Sequence, residues 1–308
     1  MRLAVSAEYI IRPAGLDCES LRSGQEPSRR SIIVGGAKQL ELFRDLETSM
    51  HHGIKEALER LPRGEGLLGI GVEPWLPAEA SGAIPVRIKV TMLDLPTSDL
   101  DAIWRRIRAI IPLISALAAA TPFDSCHANG IASNALMNHI HTCQREGRAP
   151  ISADRRFRYG RVEKALPSAA PRSPVAYDSS TGALQISLWE VQECARSNMA
   201  VIALLSSLLR TEGMGLDASE EDCTIALGKA AEGGTAQLKE ELWTMYELAG
   251  STASAEERMY LSIIRERIDR GSLGETLPKL VQSKGMDRAM DELSKCLRTN
   301  RPFLPRED

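Results

Sequence analysis

Apolar and polar residues alternate in three stretches of the first two thirds of the chain, and alternation of period two predicts half-buried β-strands. The stretches are RLAVSAEYIIR (2–12), IPVRIKVTML (84–93) and GALQISLWE (182–190). One face of each predicted strand is apolar. The opposite faces carry the following side chains: Ala4, Ser6, Glu8 and Ile10 in the first strand, Arg87, Lys89 and Thr91 in the second, and Gln185, Ser187 and Trp189 in the third.

Two further strands are predicted over residues 38–44, which place Glu41 and Phe43 on one face, and over the glycine-containing residues 67–75. Between and after the strands, apolar residues at helical spacing predict helices. These helices cover 45–60, 98–120 with a kink at Pro112, 134–146, and most of the chain after about residue 190. Ser219, Thr235 and Ser254 are predicted N-caps, and Gly271 is a predicted C-terminal stop.

The predicted fold class is α+β. An antiparallel sheet carries helices on one face and leaves an open charged cleft on the other, and a helical C-terminal region follows. We predict one catalytic-type domain over 1–308, with a sheet-containing part (1–190) and a mainly helical part (191–308). The segment 164–182 is rich in Pro, Ser and Ala, which predicts a loop or lid.

Composition narrows the classes of partner. The 308 residues carry a net charge of −3 and 4% aromatic side chains, which argues against a general nucleic-acid binder. No stretch approaches the roughly 20 apolar residues of a membrane span. Six scattered cysteines without a CxxC pair indicate reduced thiols, so we expect a cytoplasmic protein. Small molecules are the expected partners, and homo-oligomer formation is left open.

The segment IIPLISALAAATPFDSCHANGIAS (110–133) runs from an apolar helix into a polar loop. The loop is either an active-site edge delivered by a rigid helix or a polar connector. In the helix that follows, His139 and Cys143 are four residues apart and share a face, which fits a metal pair or ordinary packing. Cys126 and His127 are adjacent, and adjacent side chains rarely face each other.

Six fragments occur in the order of a known family. They are VSAEYIIRP, QLEL, LGIGVEPWLP, RIKV, TPF with NGIAS, and DRRFRYGRVE, and NMAVIALLSSLLR follows them. In this order the chain resembles glutamate–cysteine ligase family 2, the carboxylate–amine ligases. Residues 121–123 and 129–133 fall in ungapped register with the family's Ser-Pro-Phe and Thr-Gly-x-Ala-Ser loop.

The resemblance implies a sheet like that of glutamine synthetase and a reaction that uses ATP and Mg²⁺. A carboxylate would be activated as an acyl phosphate and attacked by an amine, giving an amide. The resemblance also implies roles for individual residues: catalytic Arg87, Lys89 and Arg156; cofactor-binding Asn129, Ser133, Asn134 and Arg156; and metal-binding Glu8, Glu41 and Glu163.

The chain departs from the family pattern at several of its site positions. Ile10 replaces the second glutamate of the opening strand, Arg87 and Lys89 replace a His-x-His pair, and Ala128 and Ala135 replace an aspartate and an arginine. A lysine about 4 Å from a metal ion would repel it by roughly 4 kcal/mol per unit charge at an effective dielectric constant near 20. The departures therefore support an alternative, a non-catalytic homologue that binds an anionic ligand or a protein partner.

Overall fold

The computed structural model describes residues 2–12, 31–35, 43–69, 88–93, 100–154, 175–178, 182–186, 190–211 and 218–304. In these ranges the strands are β1 Arg2–Arg12, β2 Ser31–Gly35, β3 Gly66–Leu68, β4 Ile88–Leu93, β5 Phe123–Asp124, β6 His127–Ala128, β7 Ala153–Asp154, β8 Val175–Asp178 and β9 Ala183–Ile186. The helices are α1 Phe43–Glu59, α2 Leu100–Ala118, α3 Asn134–Arg145, α4 Ala195–Leu209, α5 Glu220–Gly233, α6 Lys239–Thr252, α7 Ala255–Arg270, α8 Leu273–Lys284 and α9 Met286–Thr299.

Seven of these strands form one sheet in the order β2-β1-β4-β9-β8-β7, and β3 pairs with the end of β1. All neighbouring strands are antiparallel except β7 and β8, which run parallel. The strands β5 and β6 form a separate two-stranded hairpin. The predicted antiparallel sheet is therefore confirmed.

The main apolar core lies between one face of the sheet and the helices. It contains Val5, Tyr9 and Ile88 from the strands, together with Leu204 of α4 and Ile264 of α7. Side chains from before and after residue 190 thus share one core. This arrangement confirms the α+β class with helices packed against one sheet face; the boundaries of the two predicted parts stay a prediction.

A second apolar cluster covers one end of the opposite sheet face. Ile10 and Leu68 point away from the main core, and they pack against Phe123. The helices α8 and α9 complete this cluster with Leu273, Leu277, Ala289, Met290 and Leu293. The Ile10 end of the polar face is consequently closed by apolar side chains.

Several predicted boundaries are wrong. Phe43 and Arg44 begin α1 and do not end a strand, and the rest of the predicted strand 38–44 lies outside the described residues. Within the predicted loop 164–182, Val175–Asp178 is the sheet strand β8. The helix α2, in contrast, covers Leu100–Ala118 with Pro112 inside it and so agrees with the predicted helix 98–120, while the kink at Pro112 stays a prediction.

The predicted helix ends are mostly confirmed. Ser219 and Ser254 each form a capping box at the start of a helix, and Gly271 ends α7 with φ 103°. Thr235 makes no side-chain capping bond. Its amide and its hydroxyl instead donate to Glu275 at 2.8 and 2.7 Å.

Among the described residues, Cys143, Cys194, Cys223 and Cys296 are free thiols. Cys126 is disulfide-bonded, so the prediction of reduced thiols is wrong at that position. Within the described ranges, no helix combines the length and the apolarity that crossing a bilayer requires.

At Gly69 and Gly274, backbone segments approach more closely than any side chain permits. A Cβ on Gly69 would lie 2.3 Å from the carbonyl oxygen of Gln192, and a Cβ on Gly274 would lie 2.1 Å from that of Ala132. The Gly274 amide also donates to the Ala119 carbonyl at 2.7 Å. The start of α8 is therefore fixed against both Ala119 and Ala132, which flank the polar loop.

Replacing Gly274 with Ala should lower the free energy of unfolding by about 1–3 kcal/mol, because the added methyl group meets backbone that has no room to yield. The matched control is Gly228→Ala in the interior of α5, where an added Cβ meets nothing within 4 Å. That change should stabilise the protein by up to about 1 kcal/mol through helix propensity. Urea unfolding of both variants checks the prediction; equal effects would contradict it.

Candidate functional site

The face of the sheet opposite the main core carries the predicted polar residues. Ser6 of β1 lies directly opposite Lys89 of β4, so the two share a face, and Glu8 is two residues further along β1. Diagonal neighbours of this kind are roughly 7–8 Å apart and within reach of long side chains. Glu8 and Lys89 are thus on the same face, as the alternation predicts.

This polar face continues onto β9. Thr91 pairs with Gln185, and both side chains are buried. Lys89 is half-buried, and its burial lowers the pKa of its ammonium group. A half-buried cation flanked by hydroxyl and amide groups favours an anionic ligand, because a charge removed from water is stabilised by an opposite charge.

The other residues predicted for this face are placed as follows. Arg87, Glu41, Glu163 and Arg156 lie outside the described residues, so their predicted roles stay predictions. Ile10 is described, and it is 2% exposed in the apolar cluster under α8 and α9. The family's second glutamate would meet that apolar surface here, which gives a physical reason for the isoleucine.

A hairpin stands beside the closed end of the polar face. Phe123 and Cys126 pack against the cluster that contains Ile10, so residues 123–128, called here the rim hairpin, begin next to β1. Its two turn residues, Ser125 and Cys126, have φ 49° and 66°. Residues other than glycine, asparagine and aspartate seldom have a positive φ. Such a backbone conformation is retained only where the surrounding structure imposes it.

The predicted cofactor-binding residues lie in the loop after the hairpin. Asn129 is exposed and its side-chain amide donates to Asn134 at 2.8 Å. Asn134 is buried and donates to the Thr121 carbonyl at 3.0 Å. Ser133 is the N-cap of α3 and accepts a hydrogen bond from Leu136. These contacts give Ser133 and Asn134 a structural role, and cofactor binding by the three residues stays a prediction.

A buried carboxylate closes this loop at its base. The Oε1 atom of Glu190 accepts hydrogen bonds from the hydroxyl groups of Thr121 and Ser133, both at 2.6 Å, and Oε2 accepts one from the Ala120 amide. Burial raises the pKa of Glu190 to about 7, although the three hydrogen bonds act in the opposite direction. The group therefore exchanges its proton near neutral pH.

A second buried carboxylate follows three residues later. Glu193 forms an ion pair with Arg267 at 2.8 Å, and both side chains are almost fully buried. Arg267 also donates to the Leu117 carbonyl and to the Gln192 side chain. Gln192 in turn donates to the carbonyls of Ala118 and Glu190. This network ties α7 to the end of α2 and to the segment 190–194.

The possible metal pair of α3 is packed in the core. The Nε2 atom of His139 lies 2.8 Å from the Pro150 carbonyl oxygen, and the Cys143 sulfur lies 3.7 Å from the same nitrogen. Burial lowers the pKa of His139, so the neutral ring donates to Pro150. In the described part of the chain, no three His, Cys, Asp or Glu side chains form a metal-binding group.

The sequence pattern did not predict the buried network formed by Glu190, Gln192, Glu193 and Arg267. A signal was present, because two glutamates interrupt the otherwise mostly apolar run LWEVQECA. A charged residue inside an apolar run is seldom solvated and usually has a buried partner. Nothing in the local pattern identifies that partner, since Arg267 is 74 residues away.

The solved structures of other proteins that share this fold include the following three. The bifunctional glutathione synthetase of Pasteurella multocida matches with a TM-score of 0.58 at 10% identity over 97% of this chain and 52% of its own. The glutamate–cysteine ligase of Francisella tularensis in complex with AMP matches with a TM-score of 0.59 at 9% identity over 99% and 90%. The ligase PafA, in complex with the prokaryotic ubiquitin-like protein Pup, matches with a TM-score of 0.53 at 10% identity over 96% and 71%.

Sequence comparisons add a relative without a described activity. A protein of Archaeoglobus fulgidus, named as uncharacterised, is 26% identical over 327 aligned positions that cover 91% of this chain and 88% of the relative. No family model matches the sequence. The chain spans about half the length of the bifunctional synthetase. These comparisons show a carboxylate–amine ligase-like fold.

The raised pKa of Glu190 makes stability depend on pH. The pKa of Glu190 rises from 4.5 to about 7 on folding. The protonated carboxyl group therefore contributes fully to the free energy of unfolding below pH 4.5, and this contribution is lost as the pH rises through 7. Between pH below 4.5 and pH above 7, this pKa shift lowers the free energy of unfolding by about 3 kcal/mol. The Glu190→Gln variant should therefore gain stability relative to wild type between pH 5 and about 8.

Thermal unfolding across this pH range measures the difference. The exposed substitution Glu59→Gln, at the end of α1, controls for the removal of one negative charge. Parallel pH profiles of wild type and Glu190→Gln would contradict the assignment.

Proposed function

We propose that the protein is an ATP-dependent carboxylate–amine ligase whose substrates bind on the polar face of the sheet. The acyl donor is an acidic amino acid and the acceptor is an amine. The observation that supports this most strongly is the placement of Lys89 and Glu8 together on the polar face of a sheet that three ligases share. One of those ligases was solved in complex with AMP, which favours an adenine nucleotide as the energy source.

The proposed reaction has two steps. A carboxylate oxygen of the acyl donor attacks the terminal phosphorus of ATP, and ADP leaves with the bonding electrons. The amine nitrogen then attacks the acyl carbon, phosphate leaves, and the amine gives up a proton. No step requires an oxidant or a covalent bond to the protein, so the side chains act by positioning and by electrostatic stabilisation.

Lys89 is the described residue best suited to the phosphoryl group. Its ammonium group is half-buried, so its attraction to a phosphate oxygen is screened less than it would be in water. Glu8, on the same face, carries the opposite charge and suits the ammonium group of an amino acid. The neighbouring Thr91 and Gln185 can accept or donate hydrogen bonds at a buried position.

Magnesium fits this site as part of the substrate. Mg²⁺ keeps several water ligands and is usually held by one or two carboxylates together with phosphate oxygens. Glu8 is a carboxylate on the polar face, but no three described His, Cys, Asp or Glu side chains form a metal-binding group. We therefore treat the ion as delivered by ATP, and the described residues bind the phosphates and the amino acid.

The alternative is a non-catalytic homologue that binds a small anionic ligand or a protein partner. The closure of the Ile10 end of the face by α8 and α9 favours it, because the family's second glutamate has no counterpart there. Lys89 favours it as well, because a cation suits an anion better than a metal ion. Both functions use the same face, so a test of turnover separates them.

Incubation of the protein with ATP, Mg²⁺, glutamate and a panel of amines should release ADP and phosphate and form an amide, detected by mass spectrometry. Without turnover, the melting temperature in Mg²⁺ and nucleotide decides between the two functions. A ligand at one hundred times its dissociation constant stabilises the fold by about 2.7 kcal/mol. The absence of both turnover and nucleotide binding would refute the ligase proposal.

Replacing Lys89 with Met should lower kcat/KM by about 100-fold or more, because it removes the charge that faces the phosphoryl group and keeps the apolar stem. The matched control is Lys229→Met, an exposed lysine of α5. The control should retain wild-type activity. An equal loss in both variants, or none in Lys89→Met, would contradict the role of Lys89.

A further inference from the structure

The loop between α2 and α3 is tied at its base by one carboxylate. Residues 122–132, which include the rim hairpin, leave the fold at Thr121 and return to it at Ser133. These two residues form an isolated parallel β-bridge. The Glu190 carboxylate binds both of their hydroxyl groups and the Ala120 amide, so it contacts the entry and the exit of the loop at once.

The hydroxyl groups of Thr121 and Ser133 also accept hydrogen bonds from the first turn of α3. Thr121 Oγ1 accepts a hydrogen bond from the Ala135 amide at 3.2 Å, and Ser133 Oγ accepts one from the Leu136 amide at 3.0 Å. Because each hydroxyl hydrogen is donated to Glu190, the oxygen lone pairs are left to face the first turn of α3. Glu190 thus orients the groups that begin α3.

The loop is also held at its two flanks. The Ala132 and Ser133 amides donate to the carbonyls of Glu232 and Ala231 at the end of α5, at 3.0 and 2.9 Å. On the other side, Gly274 of α8 packs directly on the Ala132 carbonyl. Gly274 also donates to the Ala119 carbonyl, and Asn134 donates to the Thr121 carbonyl from its backbone and its side-chain amide. Glu190 adds a carboxylate that contacts Ala120 and Thr121 at the entry and Ser133 at the exit.

We propose that Glu190 is a positioning residue: by tying the base of the loop 122–132, it holds the rim hairpin beside the polar face and so completes the substrate site. The rim hairpin lies beside the polar face because Phe123 and Cys126 contact the cluster that contains Ile10. Ile10 is two residues from Glu8 on the same sheet face. The part that concerns substrate rests on the proposed function.

Glu193 provides a matched control. It is as deeply buried as Glu190 and lies three residues away on the same segment. Its partners are Arg267, Ser197 and the Phe303 amide, none of which belongs to the loop. Removing Glu193 should destabilise the whole fold without loosening the hairpin in particular.

The first test uses the full-length protein without ligand, with reductant present so that the Cys126 disulfide does not hold the hairpin. Amide hydrogen exchange of residues 123–131 should be about tenfold or more faster in Glu190→Ala than in wild type, because the three hydrogen bonds that the Glu190 carboxyl group accepts are lost. Glu190→Gln, which keeps the shape and one acceptor, should lie between them. In Glu193→Ala the exchange of these amides should rise no more than that of β1 and β4.

Exchange that is unchanged in Glu190→Ala, or that rises equally throughout the fold, would overturn the proposal. If Glu190→Ala does not fold, Thr121→Val removes one of the hydroxyl donors at nearly constant shape. The hairpin amides should then exchange faster than wild type while those of β1 keep their rates. Wild-type rates at the hairpin in this variant would overturn the proposal as well.

The second test measures kinetics. In Glu190→Ala the KM for the acyl donor should rise about tenfold with a smaller change in kcat, because the group acts on binding geometry and does not touch the reacting atoms. Glu190→Gln should recover part of this loss, and Glu193→Ala should not show the same split. An unchanged KM would refute the effect on substrate. If the wild type has no activity, the proposed function fails, and the exchange experiment still decides the positioning role.

Discussion

Two buried carboxylates in the segment between β9 and α4 are the constraint on which the rest of the structure depends. Glu190 to Cys194 are all buried, and a segment without regular secondary structure at that depth must find internal partners for its polar groups. Glu193 forms an ion pair with Arg267, and Glu190 accepts hydrogen bonds from the base of the loop 122–132. Removing one partner of a buried ion pair such as Glu193 with Arg267 typically costs about 3–5 kcal/mol.

These partners come from distant parts of the chain, which is why the segment organises the fold. Arg267 connects α7 to the end of α2, and Gly69 lets the end of β3 lie directly on Gln192. The sheet, the helical layer and the loop beside the polar face therefore meet at one place. A ligand site on the polar face would use this rigidity, because positioning requires side chains that are held from behind.

The sequence allowed prediction of those features that local pattern controls. Alternation in β1 and β4 was enough to place Glu8 and Lys89 on one face, and the predicted N-caps Ser219 and Ser254 located the starts of α5 and α7. The edge strand β2 was not predicted, and Phe43 was assigned to a strand, because short apolar runs fit either type of element. The role of Glu190 could not be predicted, since its partners Thr121 and Ser133 are 69 and 57 residues away.

The central claim is that the polar face of the sheet, with Lys89 and Glu8, is the ligand site. Its most direct test is a crystal structure of the protein with Mg²⁺ and a non-hydrolysable ATP analogue. We predict that a phosphate oxygen of the analogue lies within hydrogen-bond distance of the Lys89 ammonium group. An analogue bound on the helical side of the sheet, or a polar face left empty at millimolar analogue, would contradict the account.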